Sequence, residues 1–286
     1  MILQYEGGHV INIITVVLVS CQLGNPGALS MLPNTIISFF EKTEKFHETY
    51  EVDPGTKLYV VNVNGDVDLT VWDEDYVEVN AIKKTNRGED ELTKVQVEVT
   101  VGEVMKIRTE YLERNVHVSV DYRIRIPEQV MVQKVATSNG DITLMETSGD
   151  TEVMTSNGDI DLKDVVGTVQ VQTSNGDIEI RGATVVTEAS TSNGDILAEI
   201  RQVSEKDTEI ATSNGSIDLY VSEKLNADLT SATSMGEVSI KALDLGSQLT
   251  ARTGSTTTVK GRIGKGGRII NVNTSNGDIR IYNLAE

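Results

Sequence analysis

The chain has 286 residues, enough for one long repeat domain or for two ordinary domains. Its 43 acidic residues outnumber 25 basic ones, and the formal charge of −18 argues against nucleic acid or an anionic membrane surface as a direct partner. Cys21 is the single cysteine, so the chain cannot form an internal disulfide.

The first predicted element is a signal peptide over residues 1–20. The apolar run Val10–Val19 is too short to span a bilayer as a helix and has the length of a signal-peptide core. It leads into Leu18-Val19-Ser20-Cys21, which resembles the lipobox of bacterial lipoproteins, where the cysteine is lipidated and becomes the first mature residue. No Lys or Arg precedes the run, so an ordinary cleaved signal or a buried strand is the alternative. We expect export, with Cys21 as the candidate lipidation site.

A tether is predicted over residues 21–47, followed by an irregular β region over residues 48–127. Within that region, Asn64-Gly65 is an Asn-Gly turn with alternating apolar residues on both sides. Terminal units of repeat arrays diverge in sequence because they cover an exposed end. We therefore expect this region to open the array or to cap it, and we favour core packing over ligand stacking for Trp72, the one tryptophan.

Residues 128–286 are organised around the hexapeptide Thr-Ser-Asn-Gly-Asp-Ile. It occurs at Thr137–Ile142, Thr155–Ile160, Thr173–Ile178, Thr191–Ile196 and Thr274–Ile279, with a near copy at Thr212–Ile217 in which Ser216 replaces Asp. The first four copies are 18 residues apart, and the next two steps, to Asn214 and to Met235, are 21 residues each. A fixed period of this size predicts units that stack on their neighbours. Glycines at the half-period indicate two strands and two corners per unit.

Two all-β architectures fit this period. In a parallel β-solenoid each unit is one coil, whereas in a meander each Asn-Gly is a hairpin turn. We predict the solenoid, with about 18–21 residues and two strands per coil, because identical residues recur and stacked copies can form side-chain ladders ~4.8 Å apart. The expected turn ladder consists of Asn139, Gly140, Asn157, Gly158, Asn175, Gly176, Asn193, Gly194, Asn214, Gly215, Asn276 and Gly277. The last coil is expected to end at Tyr282–Leu284 as an exposed edge.

The acidic residue of the hexapeptide is the candidate for metal binding. If coils stack, Asp141, Asp159, Asp177 and Asp195 form a row of carboxylates ~5 Å apart, and Ca²⁺ would relieve their repulsion through oxygen ligands. The alternative is a solvated row in which each Asp accepts hydrogen bonds from backbone N–H groups of its turn. No other cofactor is expected.

Catalytic signals are weak. The three histidines are far apart in sequence, and no nucleophile-elbow or zinc-protease motif occurs. The Gly261–Gly267 stretch lacks the Gly-Lys-Ser/Thr of a phosphate-binding loop, so it is assigned to a flexible corner. We predict that the protein is not an enzyme; a polysaccharide-cleaving β-helix is the enzymatic alternative.

The order of several short motifs resembles the DUF4097 family of putative adhesins over roughly residues 48–284. The motifs are Gly55–Val60, Asn64–Val67, Trp72–Asp75, Val77–Val79, Tyr122–Pro127 and then the repeated Ser-Asn-Gly-Asp-Ile. The resemblance implies a β-solenoid, exported or held at the cell surface, with no catalytic residues to transfer. We expect an adhesin-like interaction module; the alternatives are a self-associating envelope scaffold, joined end to end, and a divalent-cation-binding surface protein. The partner is unknown, and membrane contact is expected only through Cys21.

Overall fold

A computed structural model describes residues 41–284 of the chain. The predicted signal peptide, Cys21 and most of the predicted tether lie outside the described residues. In the described part, a 3₁₀ turn covers Glu89–Lys94, and the strands are β1 (Lys42–Glu51), β2 (Lys57–Val61), β3 (Val67–Trp72), β4 (Tyr76–Thr85), β5 (Val95–Thr100), β6 (Val104–Tyr111), β7 (Ser119–Pro127), β8 (Met131–Ala136), β9 (Ile142–Met145), β10 (Thr151–Met154), β11 (Ile160–Lys163), β12 (Thr168–Gln172), β13 (Ile178–Arg181), β14 (Val185–Asn193), β15 (Ile196–Ile200), β16 (Thr208–Asn214), β17 (Ile217–Val221), β18 (Ala227–Met235), β19 (Val238–Lys241), β20 (Gln248–Thr253), β21 (Thr256–Ile263), β22 (Arg268–Asn276) and β23 (Ile279–Asn283).

These strands form two long sheets. Sheet A has 11 strands in the order β1-β4-β7-β3-β9-β11-β13-β15-β17-β23-β19. Sheet B has 12 strands in the order β20-β21-β18-β22-β16-β14-β12-β10-β8-β2-β6-β5. Each coil gives one strand to sheet B and the next to sheet A, and the hexapeptide makes the corner between them.

Successive coils pair in parallel with like residues side by side. Ile160 lies between Ile142 and Ile178 in sheet A, and Val153 lies beside Val171 in sheet B. A meander would instead place the flanking strands of each Asn-Gly turn antiparallel. The parallel register therefore confirms the predicted β-solenoid with two strands per coil.

The core lies between the two sheets and consists of the inward residues of every coil. Period-two alternation sends one side chain in and the next out, so aliphatic residues such as Leu162, Val171 and Ile180 are fully buried. Stacking is required because one 18-residue unit cannot stabilise itself. Four buried aliphatic side chains contribute roughly 6–12 kcal/mol, whereas ordering 18 residues costs on the order of 27 kcal/mol.

The N-terminal β region contains a coil in register with the array. Strands β2 and β3 pair in parallel with β8 and β9, so the solenoid begins near Lys57 and not after Pro127. Strands β6 and β7 pair in parallel with β2 and β3 and form a further coil on their other side. Strands β4 and β5 then pair antiparallel with β7 and β6. Strand β1 pairs antiparallel with β4, which corrects the predicted tether, since residues 42–47 are the first half of this strand.

The order of coils in space differs from their order in sequence. Strands β22 and β23 lie between the coil β16–β17 and the coil β18–β19, in parallel with both. The coil that ends at Asn283 is therefore an inner layer, and the prediction that it forms the exposed edge is wrong. The chain reaches this layer through the hairpin β20–β21, which extends sheet B past β18.

Candidate functional site: the Asn corner

The repeated Thr-Ser-Asn-Gly-Asp corner, here called the Asn corner, aligns along the stack. Parallel bridges join Asn64, Asn139, Asn157, Asn175 and Asn193 in succession. The corner continues through Asn214 and Asn276 to Met235, which lies beside Asn276. One edge of the solenoid thus presents an Asn side chain in each layer from Asn64 as far as Asn276.

Asn side chains of the corner form a continuous amide ladder. Each Nδ2 donates to Oδ1 of the previous coil, as from Asn157 to Asn139 at 2.8 Å and from Asn175 to Asn157 at 2.9 Å. At the first coil, Asn64 Nδ2 donates to the Tyr111 hydroxyl at 3.2 Å. At the other end Met235 cannot continue the ladder because it has no amide. The ladder therefore begins on a tyrosine and stops at the last coil.

The glycine of the corner is required by close backbone approach. A Cβ on Gly176 would lie 1.9 Å from the carbonyl oxygen of Gly158, and its φ is +153°. The same carbonyl accepts the hydroxyl of Thr173 at 3.1 Å. Thr and Gly therefore recur in the hexapeptide because each layer packs its backbone directly on the one before.

The predicted acidic row is held by backbone hydrogen bonds between coils. Oδ1 of Asp141 accepts the N–H of Asp159 at 2.8 Å, and Oδ1 of Asp159 accepts that of Asp177 at 2.8 Å. Asp195 repeats this with the N–H of Ser216 at 2.7 Å. One oxygen of each carboxylate is thus used within the stack, and the row is interrupted at Ser216. Among residues 41–284 no three His, Cys, Asp or Glu side chains converge as metal ligands.

The Ser side chains of the corner are free to contact a partner. Ser156, Ser174 and Ser192 are exposed, and their hydroxyls make no hydrogen bond to a protein group in the described part of the chain. Beside them run the exposed Asn amides and the outer oxygens of the Asp carboxylates. The arrangement can accept and donate hydrogen bonds along several coils, which suits an extended polar partner more than a small molecule.

A second polar cluster lies on the outer face of sheet A, where sequence reasoning missed it. The guanidinium of Arg125 stacks on Trp72 with its central carbon 4.2 Å from the ring centroid. Trp72 shares the outward side of β3 with Asp68, so the preference for core packing of this residue is wrong. Arg125 Nε also donates to Glu78 at 2.7 Å. The alternation of side chains along β3 could have predicted this from the sequence. Leu69 points inward, so Trp72, three positions later, points outward.

Ionisation of the carboxyls on this face depends on their neighbours. Burial alone would raise the pKa of Glu78, but hydrogen bonds from Arg125 and Asn80 outweigh it and hold this pKa below its ordinary value. For Asp161, partial burial raises the pKa, and the adjacent carboxylate Glu179 adds to the rise.

Two shallow grooves lie on the surface of residues 41–284. A groove of ≈ 380 Å³ lies on sheet B beneath the loop Ser204–Lys206, and one of ≈ 340 Å³ lies beside the hairpin β20–β21. His47 bonds Asn80, and the backbone N–H of His117 bonds Glu91, so the two described histidines sit in different surroundings. No helix in the described range is long and apolar enough to cross a bilayer.

This geometry defines the class of protein: a parallel β-solenoid of two-stranded coils with a laddered polar corner. The chain belongs to the Toastrack DUF4097 family, whose model matches residues 34–282. The resemblance seen in the sequence is thereby confirmed. No curated protein matches the sequence.

Several solved structures are similar to the chain at low identity. A putative cell adhesion protein from Clostridium sporogenes is 13% identical, with a TM-score of 0.34, over 84% of this chain and 100% of that one. A putative adhesin from Bacteroides fragilis is 16% identical, with a TM-score of 0.37, over 84% and 97%. A putative lipid binding protein from Parabacteroides distasonis is 10% identical, with a TM-score of 0.40, over 84% and 97%.

Proposed function

We propose that this protein is a non-enzymatic, surface-exposed interaction module, adhesin-like in its mode of action, with the Asn corner as its contact strip. The observation that carries the proposal is the alignment of exposed Ser, Asn and Asp groups over successive coils. Such a strip binds an extended partner by many weak polar contacts and needs no pocket. The shallowness of the two grooves described above supports the non-enzymatic assignment.

The strip can be tested by attachment of cells that produce the full chain. Ser156→Glu with Ser174→Glu adds two charges to the strip, and Met145→Glu with Val166→Glu adds two charges at exposed sites away from it. Attachment to polysaccharide-coated and protein-coated surfaces should fall several-fold in the first variant only. Equal attachment by both variants would show that the Asn corner is not the contact strip.

Surface location is proposed through a lipid on Cys21, the residue singled out by its lipobox-like context. Labelled palmitate should enter the wild-type chain and not Cys21→Ser, and globomycin should block maturation. A mature chain that still carries residues 1–20 would contradict export.

A divalent-cation role for the acidic row is the second candidate, favoured by the regular spacing of its exposed carboxylates. Millimolar Ca²⁺ should then raise the Tm of the wild type, and the rise should disappear in Asp159→Asn with Asp177→Asn. Asn keeps a side-chain oxygen for the backbone N–H, so the variant tests charge without removing the hydrogen bond. An equal rise in both proteins would rule the site out.

The third candidate, a self-associating envelope scaffold, is favoured by the strands that bound both sheets, each of which has a single neighbouring strand within residues 41–284.

A further inference from the structure

The four strands that bound the two sheets are protected to different degrees. Sheet A is bounded by β1 and β19, and sheet B by β5 and β20; within residues 41–284 each of them has one neighbour. Soluble proteins normally blunt such edges with charges or by keeping them short. Strand β1 carries five Lys or Glu residues, and β19 has four residues in all. Strands β5 and β20 have six residues each, one charged residue each and no proline.

The two ends of the solenoid are stepped in opposite senses. Beyond the first coil, β2–β3, sheet A continues for three strands and sheet B for two. Beyond the last coil in space, β18–β19, sheet B continues through β21 and β20, whereas sheet A stops. One end therefore has an overhang of sheet A, and the other end has an overhang of sheet B.

Strand directions at the ends are complementary. Strand β20 runs antiparallel to β21, which runs antiparallel to β18, so β20 points in the direction of the coils. Strand β5 runs antiparallel to β6, which is parallel to β2, so β5 points against the coils. A second copy placed along the solenoid axis in the same orientation would bring its β5 antiparallel to β20. Antiparallel pairing is the more stable of the two kinds of ladder.

We propose that a second copy of the chain docks head to tail, with β20 of one copy paired antiparallel to β5 of the next. The proposal rests on the self-associating role named above and gives it a defined joint. Four strands would then separate β18 of one copy from β2 of the next in sheet B, and three would separate β19 from β3 in sheet A. Sheet A is therefore one strand short at the joint. This leaves a gap ~4.8 Å wide beside the charged edge strand β1, which stays unpaired.

Side chains at the joint match in their direction. Val97 points inward from β5 and is half-buried, and Thr250 points inward from β20 opposite the buried Val259. Pairing Val97 with Thr250 keeps inward residues together. It also places Leu249, which is 65% exposed, beside Glu98 on the outer face. Each copy uses a different edge, so the contact is heterologous and builds an open series.

The joint brings together copies with a net charge of −18, so salt should promote it by screening their repulsion. Sedimentation velocity of the full chain should show an open series of linear oligomers that grows with protein concentration and with NaCl. Thr250→Lys places an inward-pointing charge on β20 and should reduce the apparent association constant at least tenfold. Thr49→Lys puts the same substitution on the edge strand β1, beside Glu78 on the outer face, where it should have no effect on association.

Thermal unfolding of both variants is measured alongside to establish that they fold. A variant Thr250→Lys copy still offers β5, so adding it to the wild type should shorten the oligomers. Monomers at every concentration, closed dimers, or oligomers unchanged by Thr250→Lys would overturn the joint. Attachment of cells is scored separately, because a monomer that supports attachment contradicts the joint and leaves the interaction module intact.

Discussion

At the scale of single residues, the hexapeptide is explained by contact between layers. Thr donates to a glycine carbonyl, Asn donates to Asn, and Asp accepts a backbone N–H from the next coil. Each of these residue types recurs because its partner is a residue of the hexapeptide one layer away. An exposed row that looks like a binding motif in the sequence thus also stabilises the stack.

Gly176→Ala should be strongly destabilising, whereas Gly55→Ala should be mild. Both glycines have positive φ, +153° and +84°, but a Cβ on Gly55 meets nothing within 4 Å. We expect a loss of roughly 2–4 kcal/mol in the free energy of unfolding for Gly176→Ala and about 1 kcal/mol for Gly55→Ala. Urea unfolding measures both. Equal losses would show that backbone strain alone, without the contact to Gly158, accounts for the glycine.

Glu78 should make the stability depend on pH in the acid range. Its pKa is lowered in the folded protein, so its contribution is present above the ordinary Glu value and is lost as the pH falls through the folded value. Glu78→Gln removes this titration. The wild type should therefore lose more stability than Glu78→Gln between pH 7 and pH 3, as measured by urea unfolding. Parallel pH curves for the two proteins would contradict the assignment.

At the scale of elements, the inserted layer β22–β23 is selected by side chains that match the coil β16–β17. Asn276 donates to Asn214 at 2.8 Å, Arg280 pairs with Asp218 at 3.1 Å, and Tyr282 stacks on Tyr220 with centroids 4.9 Å apart. If β18–β19 took this place, Met235 would face Asn214 and Ser239 would face Asp218. The insertion keeps the ladders continuous and leaves the unmatched coil outermost.

Sequence reasoning predicted the coil and not the order of the coils. Period, alternation and the half-period glycines are local properties, and they predicted a two-stranded unit. The recurrence of identical residues then favoured parallel stacking of these units over a meander. The step of 21 residues from Asn214 to Met235 continues the earlier spacing, so nothing local reveals that Asn276 lies between them. The order of the coils depends on side-chain pairs between residues about 60 positions apart in the sequence. The cluster at Trp72 was missed for a related reason, since Arg125 reaches it from β7.

Hydrogen exchange should reveal the inserted layer. Amides of Ile270, Val272 and Ile281 lie in strands paired on both sides, so they should exchange as slowly as those of the central coils. Amides of Leu249 and Ala251, in the edge strand β20, should exchange much faster in dilute protein. Fast exchange over residues 268–283 would indicate that this layer opens independently.

At the scale of the whole molecule, stability is shared along the stack because no coil can fold alone. Trp72 lies in the first coil, so its fluorescence reports one end, whereas far-UV circular dichroism reports all the strands. We expect the two urea transitions to coincide for residues 41–284. A tryptophan transition at clearly lower urea would show that the first coils unfold as a separate unit.

The position of β22–β23 has a consequence for how the protein is made. A ribosome produces residues 268–283 after every other strand, yet they belong between layers that already exist. A chain released after β19 and before β22 lacks the layer between β16–β17 and β18–β19, so its defect lies inside the stack and not at its end. Proteases would meet an open seam in such a fragment, so the survival of β18–β19 in the folded stack depends on synthesis of residues 268–283.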